Sequence, residues 1–155
     1  MVDNERIADA LESVATILEV EGANPFRTRA YRNAADGIRY SNDPLAELVA
    51  EGKDLTELPD IGAGIAEKIT EIVSMGPDAF LEKLALETGP GVLEMLRIPG
   101  LGPKRVKTLR DELNIQGLEE LAAACEANKL QTLPGMGAKT EERILRRVRK
   151  LLEES

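Results

Sequence analysis

Apolar residues recur at three- and four-residue steps along almost the whole chain: Ile7, Leu11, Val14 and Leu18 first, then Ile65, Ile69, Ile72 and Val73, and finally Ile144, Val148 and Leu151. This spacing gathers each set on one side of an α-helix. No segment alternates apolar and polar residues over a strand's length with β-branched enrichment, so the predicted fold is all-α. Helix breakers divide the pattern. Gly22 ends the first helix, Asn24-Pro25 caps the second, Asn42-Asp43-Pro44 starts a short third, and Gly76-Pro77 follows the helix around Lys68. The densest Gly/Pro run, Thr88-Gly89-Pro90-Gly91, sets a predicted domain boundary between residues 1–88 and 89–155.

One eight-residue frame occurs three times. Leu58-Pro59-Asp60-Ile61-Gly62-Ala63-Gly64-Ile65, Ile98-Pro99-Gly100-Leu101-Gly102-Pro103-Lys104-Arg105 and Leu133-Pro134-Gly135-Met136-Gly137-Ala138-Lys139-Thr140 align, with their prolines 40 and 35 residues apart. Each puts an apolar residue and proline before a Gly-apolar-Gly turn or its variant, and each leads into a helix carrying Lys or Arg. Glycine admits positive φ, so Gly62, Gly64, Gly100, Gly102, Gly135 and Gly137 allow tight turns that expose amide N–H groups. The following helix adds unpaired donors and the positive end of its dipole. Such a turn favours phosphate, and Lys104, Arg105 or Lys139 one turn further on can add a charge-assisted contact. Nothing in the frame reads bases, so the expected grip is on a sugar-phosphate backbone, independent of sequence. Glycine-rich connections also serve bundles as caps and packing points; the threefold recurrence is what favours binding. In the first copy Asp60 replaces the leading glycine and Gly64 takes the place of the lysine, which makes it the weakest expected binder.

Charge refines this picture. The chain of 155 residues has a net charge of −8, unfavourable for a nucleic-acid partner as a total, but residues 1–60 carry six basic and thirteen acidic side chains while residues 101–155 carry eleven and nine. Arg97, Lys104, Arg105, Lys107 and Arg110 form one acid-free basic run; Arg143, Arg146, Arg147, Arg149 and Lys150 crowd the last helix. Solvated helix faces are the plain alternative for both. The acidity also fits a salty cytoplasm in which contact faces stay basic. With no histidine and a single cysteine, Cys125, the usual zinc ligands, general bases and disulfides are missing, and no metal site is expected. Cys125, in Leu-Ala-Ala-Ala-Cys, reads as a buried small residue. Tyr31, Tyr40, Phe26 and Phe80 are the only aromatics, too few for a base-stacking platform, and most are expected in the core. No apolar run reaches membrane-spanning length and the acidic start lacks a signal peptide's pattern, so a cytoplasmic protein without membrane partners is expected.

The repeated frame resembles the helix-hairpin-helix motif. Residues 20–40, VEGANPFRTRAYRNAADGIRY, with ELPDIGAGIAEKITEIVSMG at 57–76, RIPGLGPKRVKTLRDELNI and LPGMGAKTEERIL, resemble the amino-terminal region of family X DNA polymerases. The resemblance runs in family order over nearly the whole chain. It implies a helical lyase-type domain with one hairpin, followed by a tandem helix-hairpin-helix domain that binds DNA at gaps or nicks in repair. It further implies that Lys68 is the Schiff-base nucleophile removing a 5′-deoxyribose phosphate, that Arg27 or Arg32 holds the sugar phosphate, and that Tyr31 packs and orients. Glu67 would assist proton removal. An unprotonated lysine amine attacking the open-chain aldehyde gives an iminium that permits β-elimination of phosphate.

Lys68 has another reading, as a solvent-facing lysine paired at i+3 with Glu71, and Glu67 reads equally as a helix-surface carboxylate. Lyase-active members of the resembled family surround the nucleophile with further lysines, whereas this chain has Gly64 and Asn33 at two places where a basic residue would help. No Gly-Ser followed by Asp-x-Asp occurs, so the two-metal polymerase site is not part of this sequence. The resemblance therefore implies either a piece of a longer polymerase or a free-standing relative. No cofactor is expected beyond a monovalent cation that a hairpin turn can hold. The rival from another class is a protein-interaction module whose hairpins dock a partner helix.

Overall fold

In the computed structural model, which describes residues 2–154, helix α1 (Asn4–Val20) begins where the Asp3 side chain accepts the Arg6 amide at 3.0 Å. Its buried residues, Ile7, Ala8, Ala10, Leu11, Val14, Ala15, Ile17, Leu18 and Val20, cover most of its circumference, so other helices must pack around it. Helices α2 (Pro25–Arg39) and α4 (Ala63–Met75) do so. α2 starts as its sequence predicts: the Asn24 side chain accepts the Phe26 amide at 2.8 Å, and Pro25 fills the first position, where an amide would lack a partner. At its other end Arg39 reaches Glu5, Asp9 and Glu12, one stripe of α1. These carboxylates, Asp9 foremost, raise the Arg39 pKa further above its ordinary value. The short α3 (Leu45–Ala50) and α5 (Pro77–Thr88) complete this part, with Leu45 and Phe80 in its core.

The chain divides into two units, residues 1–87 and 88–155. The second holds α6 (Pro90–Leu96), α7 (Pro103–Leu113), α8 (Leu118–Glu126) and α9 (Ala138–Glu154) around Val92, Met95, Val106, Leu109, Leu121, Leu130 and Val148. Its tightest point is Gly91, where an added Cβ would meet the Gln116 carbonyl oxygen at 2.0 Å and the Gly117 Cα at 2.7 Å. Only glycine allows that approach. Buried Glu141 accepts the Leu130 amide at 3.0 Å and the Gln131 side-chain amide at 2.6 Å, holding the 3-10 turn Leu130–Thr132 against α9. Cys125 is buried, and desolvation, with Glu141 and Glu126 nearby, pushes its thiol up to about 11.

The fold is all-α, and no strand occurs among the described residues. No described helix is long and apolar enough to cross a membrane. One expectation needs correction. Tyr31 and Phe80 are in the core, but Phe26 is 78% exposed and Tyr40 83% exposed, so only half of the aromatics are buried. Both lie at the ends of α2, off the stripe of Tyr31, Ala34, Ala35 and Ile38 that it buries.

Candidate functional site

The three repeats fold into the same turn. Its leading residue is left-handed in each copy: Asp60 at φ 64°, Gly100 at φ 92° and Gly135 at φ 77°. The next residue is buried, Ile61, Leu101 and Met136 in turn, and its amide donates back three residues to Leu58, Ile98 and Leu133 at 3.4, 3.0 and 3.2 Å. Then Gly62, Gly102 and Gly137 accept the first helical bond, from Ala66, Val106 and Glu141, at 2.9, 3.0 and 3.0 Å. Buried apolar residues thus anchor the turn from inside while its glycines face outward. Gly62, Gly64, Gly100, Gly102, Gly135 and Gly137 are all exposed, with open space where a side chain would stand. The first amides of α4, α7 and α9 have no partner within their own helix, except that Pro103 has no amide to offer.

The cations differ among the copies. Lys104 and Lys139, in the first turns of α7 and α9, are exposed and make no ion pair among the described residues. Gly64 supplies no charge at the matching place. Arg105 does something the sequence did not reveal: Nη1 donates to the Gly100 carbonyl at 3.0 Å and Nη2 to the Gly135 carbonyl at 3.4 Å. One guanidinium therefore ties the second and third turns together. No group of three or more Asp, Glu, Cys or His suited to a metal ion occurs among the described residues.

Two clefts open beside the turns. Next to the second, a cleft of about 200 Å³ is walled by Pro99, Gly100 and Arg105 and, from α9, by Thr140, Arg143, Ile144 and Arg147. Next to the first, one of about 190 Å³ is lined by Gly37, Ile38, Ser41, Asp43, Leu58, Pro59, Asp60 and Ile61. The basic crowd of α9 is thereby split. Arg146 pairs with Glu142 and Arg149 with Glu126, both at 3.2 Å, whereas Arg143 and Arg147 have no ion pair among the described residues. The sequence carries a signal for this division that composition misses: neither Arg143 nor Arg147 has an acid three or four positions away on its helix, while Arg146 has Glu142 at i−4.

In the first unit the residues expected around Lys68 are largely engaged within the fold. Lys68 Nζ lies 3.6 Å from Glu71 Oε2 and 6.0 Å from the centre of the Phe80 ring. Glu71 also takes Lys83 at 2.7 Å; that hydrogen bond, then the nearby Lys68, hold its carboxyl below its usual pKa. Arg32 is tied to Glu19 of α1 at 2.9 Å, and Tyr31 is buried. Glu67 points to solvent from α4. Arg27, in the first turn of α2, is exposed and without an ion pair among the described residues.

Comparison with known proteins agrees with this geometry. Residues 2–77 match a family described as a helix-hairpin-helix domain, and residues 92–150 one described as a SAM-like helix-hairpin-helix tandem. The chain is 38% identical over 135 residues to the DNA polymerase/3'-5' exonuclease PolX of Bacillus subtilis, which covers 87% of this chain and 23% of that protein. It is 36% identical over 99 residues to the Holliday junction branch migration complex subunit RuvA of Pseudomonas fluorescens, or 64% of this chain and 49% of that protein.

Proposed function

Because the chain belongs to the helix-hairpin-helix proteins and is related to the family X DNA polymerases, we propose that it binds DNA through backbone phosphates, without reading sequence, at gaps or nicks arising in repair. The observation that carries this reading is the open, left-handed turn at Gly100 and at Gly135, each followed by an exposed, unpaired lysine at a helix start. Turn amides and helix N-terminus supply donors to one phosphate, and Lys104 or Lys139 neutralises it or its neighbour. A preference for a gap would come from the first unit, where Arg27 is free to meet a 5′-phosphate. Schiff-base chemistry at Lys68 draws the least support, since Lys68 and Arg32 are both held by carboxylates of the same unit.

The test is binding to intact duplex, to a one-nucleotide gap, and to the same gap lacking its 5′-phosphate, across a salt series. Backbone binding predicts that log affinity falls linearly with log salt by ~0.9 per phosphate neutralised. The phosphorylated gap is expected to bind tightest. Equal binding to all three would remove the gap and keep the backbone grip. Failure of all three at low salt would overturn the proposal and leave a protein-docking module.

A further inference from the structure

We infer that the cleft between the second turn and α9 is a phosphate site in its own right, held by Arg143 and Arg147 and oriented by Arg105. The occupant is a backbone phosphodiester of the same DNA that the hairpin turns grip, so this inference rests on the function proposed above. Thr140, Arg143 and Arg147 follow one another at i+3 and i+4 steps, which places them in line on α9, and all three wall the cleft with Gly100 and Arg105. Among the described residues no carboxylate lines it, and neither Arg143 nor Arg147 makes an ion pair. The helix does not gain from this arrangement. Lys139, Arg143 and Arg147 form a ladder of like charges at successive i+4 steps, each step repulsive, and Lys139 stands at the positive end of the helix dipole. A diester phosphate in the cleft removes that repulsion and gives two guanidinium forks an oxyanion to bind in parallel N–H···O pairs. Arg105, fixed by the Gly100 and Gly135 carbonyls, sets the distance between the turns and so the width of the cleft. The hairpin amides and the α9 arginines would then hold separate phosphates of the backbone.

The experiment measures duplex affinity against salt for the full chain, for Arg143→Gln/Arg147→Gln, and for Arg146→Gln/Arg149→Gln, which makes the same change in net charge on the ion-paired side of α9. The first pair is expected to lose roughly tenfold in affinity and about 0.9 of the log–log salt slope, one phosphate's worth. The second is expected to match the parent. Equal losses in both pairs, or none in either, would overturn the site in favour of a diffuse positive field. Titration with inorganic phosphate, followed by the arginine Nε–H signals in NMR, separates this inference from the one it rests on. If the parent binds no DNA but phosphate moves the Arg143 and Arg147 signals, the anion site stands and the DNA reading falls; if phosphate moves neither signal as well, both fall.

Discussion

The first and second hairpins have the same turn in opposite surroundings. Both carry a left-handed residue after proline, both bury the next side chain, and both border a cleft of similar size, about 190 and about 200 Å³. One cleft is lined by Asp43 and Asp60, the other by Arg105, Arg143 and Arg147. The units around them differ in the same sense. Residues 1–87 carry eight basic and eighteen acidic side chains, whereas residues 88–155 carry twelve and ten. In the first unit five of the eight basic residues, Arg6, Arg32, Arg39, Lys68 and Lys83, are committed to carboxylates; in the second only three of the twelve, Lys107, Arg146 and Arg149, make an ion pair among the described residues. The difference separates two things the motif usually supplies together. Backbone shape makes a hairpin; in the proposed function it is uncommitted cations beside it that complete a phosphate site.

The largest expected effect comes from breaking the second unit's shape while leaving its charges alone. Gly91→Ala would drive a methyl group into the Gln116 carbonyl, and about 3 kcal/mol of stability should be lost from that unit, read by chemical denaturation and by faster hydrogen exchange at Val106 and Leu121. Unchanged stability would mean that α6 moves away freely. The complementary change gives the first hairpin what it lacks. Asp60→Gly with Gly64→Lys removes a carboxylate and installs the cation found at Lys104 and Lys139, in space that is open. Duplex affinity at low salt should rise roughly fivefold, with a salt slope steeper by ~0.9, and α4 should gain ~0.5 kcal/mol from the better helix former. No gain in affinity would show that the first turn is not presented to DNA. The smallest effect is expected at Lys68. Borohydride trapping on incised abasic DNA should give no adduct above the Lys68→Ala background, and a clear adduct lost in that variant would restore the lyase reading for this hairpin.

Much of this was legible in the chain. Gly22, Asn24-Pro25, Gly76-Pro77 and the Gly/Pro run at 88–91 stand at observed helix ends, because capping and positive φ are governed by one residue and its immediate neighbours. The repeat correctly marks three equivalent turns, including the left-handed Asp60. Lys68 with Glu71 was visible as an i+3 pair. Other features were hidden for a common reason: they join residues distant in sequence. Arg105 bridges Gly100 and Gly135, Gly91 meets Gln116, Arg32 finds Glu19, and Arg149 finds Glu126. The aromatic expectation failed because few aromatics invite a core assignment, yet Phe26 and Tyr40 flank the packed stripe of α2 rather than lie on it.

The sequence by itself determined where the chain turns and that it turns three times alike, since torsional preference and helix capping act over a few residues. The tertiary structure alone decided which basic side chains find a carboxylate on another helix, as Arg6, Arg32, Arg39, Lys83 and Arg149 do. Whether a guanidinium is spent on a carboxylate depends on which helix lies opposite it, and that is fixed by how buried apolar stripes pack, not by the charges themselves.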